Sequence, residues 1–151
     1  MFLGDDNGHE NFRRELEQLI IDCHLEGHVR IAKHTNYITE AYKIAKLVVS
    51  TSIEPEAFGR VVLEAQAMGK PVIATNHGGP QETVIPNVTG WLVSPGNIDE
   101  LTYTISNILT LTEEETAILA SQAMSNAQQF SLDTMCEKTL VVYGELLANG
   151  S

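Results

Sequence analysis

The chain has 151 residues, with nine Lys plus Arg against 20 Asp plus Glu, a formal net charge of −11 when the five His are neutral. This length supports one domain with a real core, and the 43% hydrophobic and 19% charged shares exclude a disordered or fibrous chain. An acidic surface of this kind repels nucleic-acid phosphates and anionic lipid, so neither is expected as a partner. Phe2, Leu3 and Gly4 give way at once to Asp5 and Asp6, so no signal peptide and no integral membrane segment is read. Cys23 and Cys136 lack any metal-ligand spacing and are expected as reduced core thiols of a cytoplasmic protein.

Phe12, Leu16, Leu19, Ile20 and Cys23 recur at helical spacing opposite Arg13, Arg14, Glu15, Glu17 and Asp22, an amphipathic helix that Gly27 can end. A short strand is expected over Val29–Ala32, a short helix over Thr39–Ala45, and a strand buried on both faces over Leu47–Val49. Arg60–Met68 reads as a helix stopped by Gly69, with Pro71–Ala74 as the next strand and Gly90–Val93 as a further one. Asn97 followed by Glu100, and Thr112 followed by Glu115, are capping-box starts for helices running to about Leu109 and Phe130. A last helix follows Ser131, with Leu132, Met135, Leu140, Tyr143 and Leu147 on its apolar side. Short apolar strands alternating with helices predict a doubly wound α/β fold with a parallel sheet.

Ligands of such folds bind outside the carboxyl ends of the strands, which directs attention to the loops Gly4–Gly8, Lys33–Asn36, Ser50–Gly59 and Thr75–Pro80. The third runs as S-T-S-I-E-P-E-A-F-G straight into R-V-V-L-E-A-Q-A-M, so it delivers Gly59 at a helix amino end, where open backbone N–H groups suit a phosphate. Glu64 is read as the exception on a helix apolar nearly all round and largely buried. Side chains lean toward the helix start, and Glu64 stands roughly 6 to 8 Å along the axis from Gly59, a distance that suits a sugar or ribose. The alternative is an ion pair with Arg60 one turn away. Glu56 stands eight positions earlier, in the loop facing the same cleft, so the carboxylates can accept hydroxyls at two ends of one ligand. Gly78 and Gly79 read as plain turn chemistry, Asp5 and Asp6 as a solvated turn rather than a metal pair, and His77 as the histidine nearest the cleft.

The stretch E-P-E-A-F-G-R-V-V-L-E-A-Q-A-M-G-K-P-V-I-A-T, then G-G-P-Q-E-T-V and T-G-W-L-V-S-P-G-N, closely resembles the nucleotide-binding C-terminal domain of retaining family-4 glycosyltransferases of the GT-B fold, glycosyl transferases group 1. The likeness extends to F-S-L-D-T-M-C-E-K-T-L-V-V-Y in the last helix.

The resemblance implies a Rossmann-like half of a GT-B enzyme. The donor is a nucleoside-diphosphate sugar, with no metal or other cofactor, and the sugar passes with retention to an acceptor of the cell-envelope glycan or lipid kind. Glu56, the catalytic carboxylate, would accept donor-sugar hydroxyls, and Glu64 the ribose hydroxyls. N–H groups around Phe58, Gly59, Arg60 and Val61 would receive the sugar and diphosphate. Lys33 and His34 would line the base, and Gly78, Gly79 and Glu82 would form the glycine-rich loop beside them. Lys33 and Thr51 stand where the family often has glycine and proline, and Asn97 where it has aspartate.

Set against the family, residues 1–151 are expected to form a single donor-binding domain without the family's first strand and helix, the Arg and Lys that pair with the diphosphate, and the acceptor domain. Arg60 and Lys70 are then the nearest basic candidates. A separate chain supplying the acceptor half is expected, as is a homo-oligomer, because the missing strand lies between the strands at Met1–Leu3 and Leu47–Val49. The alternatives are a non-catalytic nucleotide-binding or interaction module left from a split enzyme, and a GT-B-like sugar-nucleotide epimerase.

Overall fold

The computed structural model describes residues 1–4, 8 and 10–149, of Asn149 the backbone only. Asp5 and Asp6, and with them most of the loop Gly4–Gly8, lie outside the described residues. The chain divides into two compact units, Met1–Ile38 and Thr39–Ser151.

In the first unit β1 (Phe2–Leu3) pairs in parallel with β2 (Ile31–Ala32), Phe2 opposite Ile31 and Leu3 opposite Ala32. Between them runs α1 (Glu10–Asp22). Val29, expected in the strand, makes only an isolated bridge to Glu26. The helix is amphipathic as its spacing predicts, yet it buries none of its residues, and Phe12 and Leu19 are exposed. Periodicity identifies an apolar face but says nothing of whether another element covers it.

From Thr39 the second unit takes in all but the first residue of α2 (Ile38–Ile44), then β3 (Val48–Ser50), α3 (Arg60–Ala67), β4 (Val72–Thr75), α4 (Pro80–Thr83), β5 (Trp91–Val93), α5 (Ile98–Ile108), α6 (Glu113–Gln128) and α7 (Leu132–Asn149). Its strands form a parallel sheet in the order β3-β4-β5, with Val48 opposite Val72 and Ile73 opposite Trp91. Every residue of β4 is buried, because successive side chains of this central strand enter different cores. Val72 and Ala74 pack with Tyr42, Val62, Ala65 and Val84 on one face. Ile73 packs with Val93 and Ile108 on the other, beside Leu101 and Ile105 of α5. β3, expected to be buried on both faces, leaves Val49 41% exposed, since among the described residues it pairs only with β4.

Local chemistry sets the helix starts. The Asn97 side chain accepts the Glu100 N–H at 3.1 Å, while Thr112 and Glu115 cap each other reciprocally. α6 packs along α3 and is held there by a buried polar cluster. Asn126 Nδ2 donates to Gln66 Oε1 (2.7 Å) and to the Thr83 carbonyl (2.8 Å), which also accepts Gln66 Nε2–H at 2.9 Å. The expectation of core cysteines is corrected: Cys23 and Cys136 are both exposed. Cys23 lies one residue past the uncovered α1, and α7, which carries Cys136, presents Leu132, Leu140, Tyr143 and Leu147 to solvent.

Candidate functional site

The site grows from the junction of loop 51–59 with α3. Gly59 caps the helix at φ 78°, ψ 48°, a left-handed conformation that costs glycine little, and it offers no side chain to the helix. Its carbonyl accepts the Val62 and Leu63 N–H groups at 3.0 and 3.2 Å. The N–H groups of Arg60 and Val61 therefore have no partner among the described residues and form an open donor pair at the positive end of the helix.

Loop 51–59 is fixed by the loop that follows β4. Thr75 Oγ1–H donates to the Ser52 carbonyl at 2.8 Å, and His77 Nε2 contacts the same oxygen at 3.0 Å. A carbonyl oxygen only accepts, so Nε2 is the donor in this contact, and the buried Nδ1 has no partner among the described residues. Further along, the Gly79 N–H donates to the Glu56 carbonyl at 2.7 Å. A Cβ on Gly78 would collide with the backbone of Glu56, and one on Gly79 with the backbone of Phe58. The two glycines, expected as ordinary turn residues, are thus the surface on which the Glu56 segment is seated.

Glu56 is half-buried, and among the described residues its carboxylate makes no ion pair and no hydrogen bond. Glu64 is less buried than the apolar helix around it predicts, its side chain being 38% exposed, because Val61 and Ala67 are exposed beside it. Arg60 Nη2 lies 3.3 Å from Glu64 Oε1, the one-turn ion pair that sequence spacing allows. With Arg60 80% exposed, this pair is of the weakly stabilising surface kind. The other oxygen, Oε2, accepts the Tyr42 hydroxyl at 3.0 Å. Burial, followed by the bond to Glu64 and its negative charge, raises the Tyr42 phenol well above its ordinary range, so it remains a donor.

Phe58 is 48% exposed and meets Phe130 edge-on at 6.4 Å between ring centroids. A groove of about 250 Å³ runs from these rings past Arg60, Leu63 and Glu64. A separate cleft of about 200 Å³ at the carboxyl ends of the strands is lined by Thr51, Ile53, Thr75, Val93 and Asn97. Lys33 and His34 follow β2 in the first unit and are both exposed. Lys70, considered as a basic partner for a diphosphate, instead donates from Nζ to the Lys43 carbonyl at 2.8 Å, at the amino end of β4 and away from loop 51–59. No group of three or more His, Cys, Asp or Glu stands together as a metal site among the described residues.

Sequence reasoning did not find Tyr42 or Gln66. Nothing in spacing links Tyr42 to a residue 22 positions later. Gln66 was detectable, since it stands one turn after Val62 on the inward face of α3 and is a second polar exception on that helix.

All-parallel strands, flanking helices, and a long loop feeding an open helix amino end at the strand carboxyl ends define the Rossmann-like half of a GT-B fold. The chain belongs to the glycosyl transferases group 1 family, which it matches over residues 4–128.

A glycosyltransferase from Rickettsia africae superposes with a TM-score of 0.91 at 38% identity over 97% of this chain and 39% of that one. The Anabaena protein HepE, solved in complex with UDP, gives 0.88 at 35% identity over 95% and 40% of the two chains. The alpha-1,3/1,6-mannosyltransferase alg-2 of Neurospora crassa is 36% identical over 107 residues, 70% of this chain. The chain spans about a fifth of that relative's length, 22%. No helix among the described residues is long and apolar enough to cross a membrane.

Proposed function

We propose that this chain binds the nucleoside-diphosphate sugar of a retaining glycosyltransferase, with the acceptor, a cell-envelope glycan or lipid, held outside the stretch present here. The observation that carries the reading is the amino end of α3. Along the chain, an open N–H pair at Arg60 and Val61 lies between Glu56, whose carboxylate has no partner among the described residues, and Glu64. The N–H pair and the helix dipole receive the diphosphate and stabilise the charge it gains on leaving. Glu56 accepts hydroxyls of the donor sugar, and Glu64 those of the ribose. Phe58 and Gly59 shape the approach to the phosphate, and Gly78 and Gly79 hold the Glu56 segment. The reading calls for no metal and no cofactor beyond the donor, and for a cytoplasmic location where such donors are made.

Likeness to HepE, solved with UDP and with UDP-glucose, makes these the natural probes. Calorimetry on the 151-residue chain is expected to show UDP-glucose binding that falls about tenfold or more in Glu64→Ala, since hydrogen bonds to a charged group contribute about 1.5–3 kcal/mol. Equal affinity in the two proteins removes Glu64 from the site, and no binding by the wild type at millimolar ligand overturns the donor-binding reading. Transfer onto an added acceptor by this chain alone is not expected.

A further inference from the structure

We infer that Tyr42 is a positioning residue that makes the site selective for a ribonucleotide, by holding Glu64 ready for the two adjacent hydroxyls of a ribose. The inference rests on the proposed role of Glu64 in donor binding and goes beyond it by naming what aims the carboxylate. A carboxylate on a helix surface ordinarily samples several rotamers, and ordering it on binding costs affinity. Glu64 is already ordered, from two directions. The Tyr42 hydroxyl holds Oε2 at 3.0 Å, and Arg60 Nη2 holds Oε1 at 3.3 Å.

The two holds differ in strength. Arg60 is 80% exposed and competes with water. Tyr42 is only 6% exposed and packs in the core formed by Val62, Ala65, Val72, Ala74 and Val84, so its ring is enclosed on all sides by the core that carries it. It is carried on α2, which places the anchor outside the helix that bears Glu64.

Each bond uses one lone pair of its oxygen. A carboxylate has about four acceptor positions, so one remains on each oxygen. Two free acceptors fixed side by side match a vicinal diol and do not match a sugar lacking one of the hydroxyls. Tyr42 also cannot become a competing anion near the ligand, because burial and the Glu64 charge both hold it protonated. No other hydroxyl donates to Glu64 among the described residues.

The test compares UDP with 2′-deoxy-UDP by calorimetry on the full 151-residue chain, as wild type, Tyr42→Phe and Glu64→Ala. The wild type is expected to favour UDP by about tenfold, the loss of one charge-assisted hydrogen bond. Tyr42→Phe is expected to bring that ratio to about two- to threefold, while binding of 2′-deoxy-UDP changes little. A role of Tyr42 in stability alone would lower both affinities together. An unchanged ratio in Tyr42→Phe overturns the inference and leaves the ribose role of Glu64 standing if Glu64→Ala abolishes the preference. A wild type that does not distinguish the ligands overturns that role and this inference with it. Should Tyr42→Phe fail to fold, the structure of the wild-type chain with UDP decides. Tyr42 is expected to remain hydrogen-bonded to Glu64 while the ribose occupies the other positions, and a carboxylate turned away from Tyr42 overturns the inference.

Discussion

Asn126 and Gln66 lie 60 positions apart in the chain, yet the amide of one donates to the amide oxygen of the other at 2.7 Å in the buried seam between α6 and α3. With the Thr83 carbonyl they form a closed set in which each member has a partner. Asn126→Ala leaves Gln66 Oε1 without its donor, at a cost of about 1–3 kcal/mol. The Thr83 carbonyl keeps Gln66 Nε2–H, so the damage stops there. Urea denaturation is expected to show that loss. The double change Gln66→Leu with Asn126→Leu strips the buried Thr83 carbonyl of both its donors, so it is expected to remain destabilising rather than to restore stability.

Gly59 and Gly79 should respond differently to the same substitution. Gly59→Ala introduces a Cβ at φ +78° whose nearest neighbour is the Pro80 ring carbon Cγ, 3.3 Å away. The expected cost is the left-handed backbone penalty of about 1–2 kcal/mol. In Gly79→Ala the new Cβ falls on the Phe58 backbone, which cannot yield without shifting loop 51–59. Gly79→Ala is therefore expected to lower the melting temperature more and also to weaken UDP-glucose binding. Equal melting temperatures for the two variants would show that the contact between the loops is soft.

Acid should loosen the starts of α5 and α6. Glu100 accepts the Ser94 N–H at 2.9 Å, and Glu115 the Thr112 N–H at 2.8 Å. Those backbone bonds are the main reason that both carboxyls are held below the ordinary carboxylate range. A carboxyl depressed in the folded state adds stability above its unfolded value, and the gain disappears as pH falls through the folded one. The stability lost on replacing Glu115 by Gln is thus expected to be full at pH 7 and to shrink as pH falls below the ordinary carboxylate range. Thermal melts of wild type and Glu115→Gln from pH 7 downward should converge at the acid end, and a constant gap would refute the cap's contribution.

The net charge of −11 opposes the approach of an anionic nucleotide. Salt screens that repulsion, so association of UDP should accelerate as ionic strength rises from the low millimolar range, by about twofold or more, before levelling off. Stopped-flow mixing measures this directly. A rate that falls with salt would show that a local basic field at the site outweighs the charge of the whole chain.

Features made by neighbours in sequence were legible in it. The caps at Asn97 and Thr112 use side chains three positions from their partners, and both helices begin where those residues stand. The strands were found within a residue or two because apolar runs and glycine punctuation are local. The helix amino end with Glu56 and Glu64 was legible for the same reason, all of it lying within one loop and one helix. What remained hidden is made by distant segments meeting: Tyr42 on Glu64, Asn126 on Gln66, and the seat of Gly78 and Gly79 beneath Glu56 and Phe58. The exposure of Cys23 and Cys136 was hidden for the converse reason, since a helical stripe announces an apolar face without naming its cover.

The seating of those glycines bears on how the chain can vary over time. Because the Gly79 N–H ends on the Glu56 carbonyl while Thr75 and His77 hold Ser52, the two loops are in contact at two separated points and share one fixed span between them. Lengthening either loop by a residue between those points would unseat one contact whatever residue was added. Drift can therefore change the exposed residues of this segment, such as Ile53 and Glu54, far more freely than its length, and a viable insertion in one loop would need a matching one in the other.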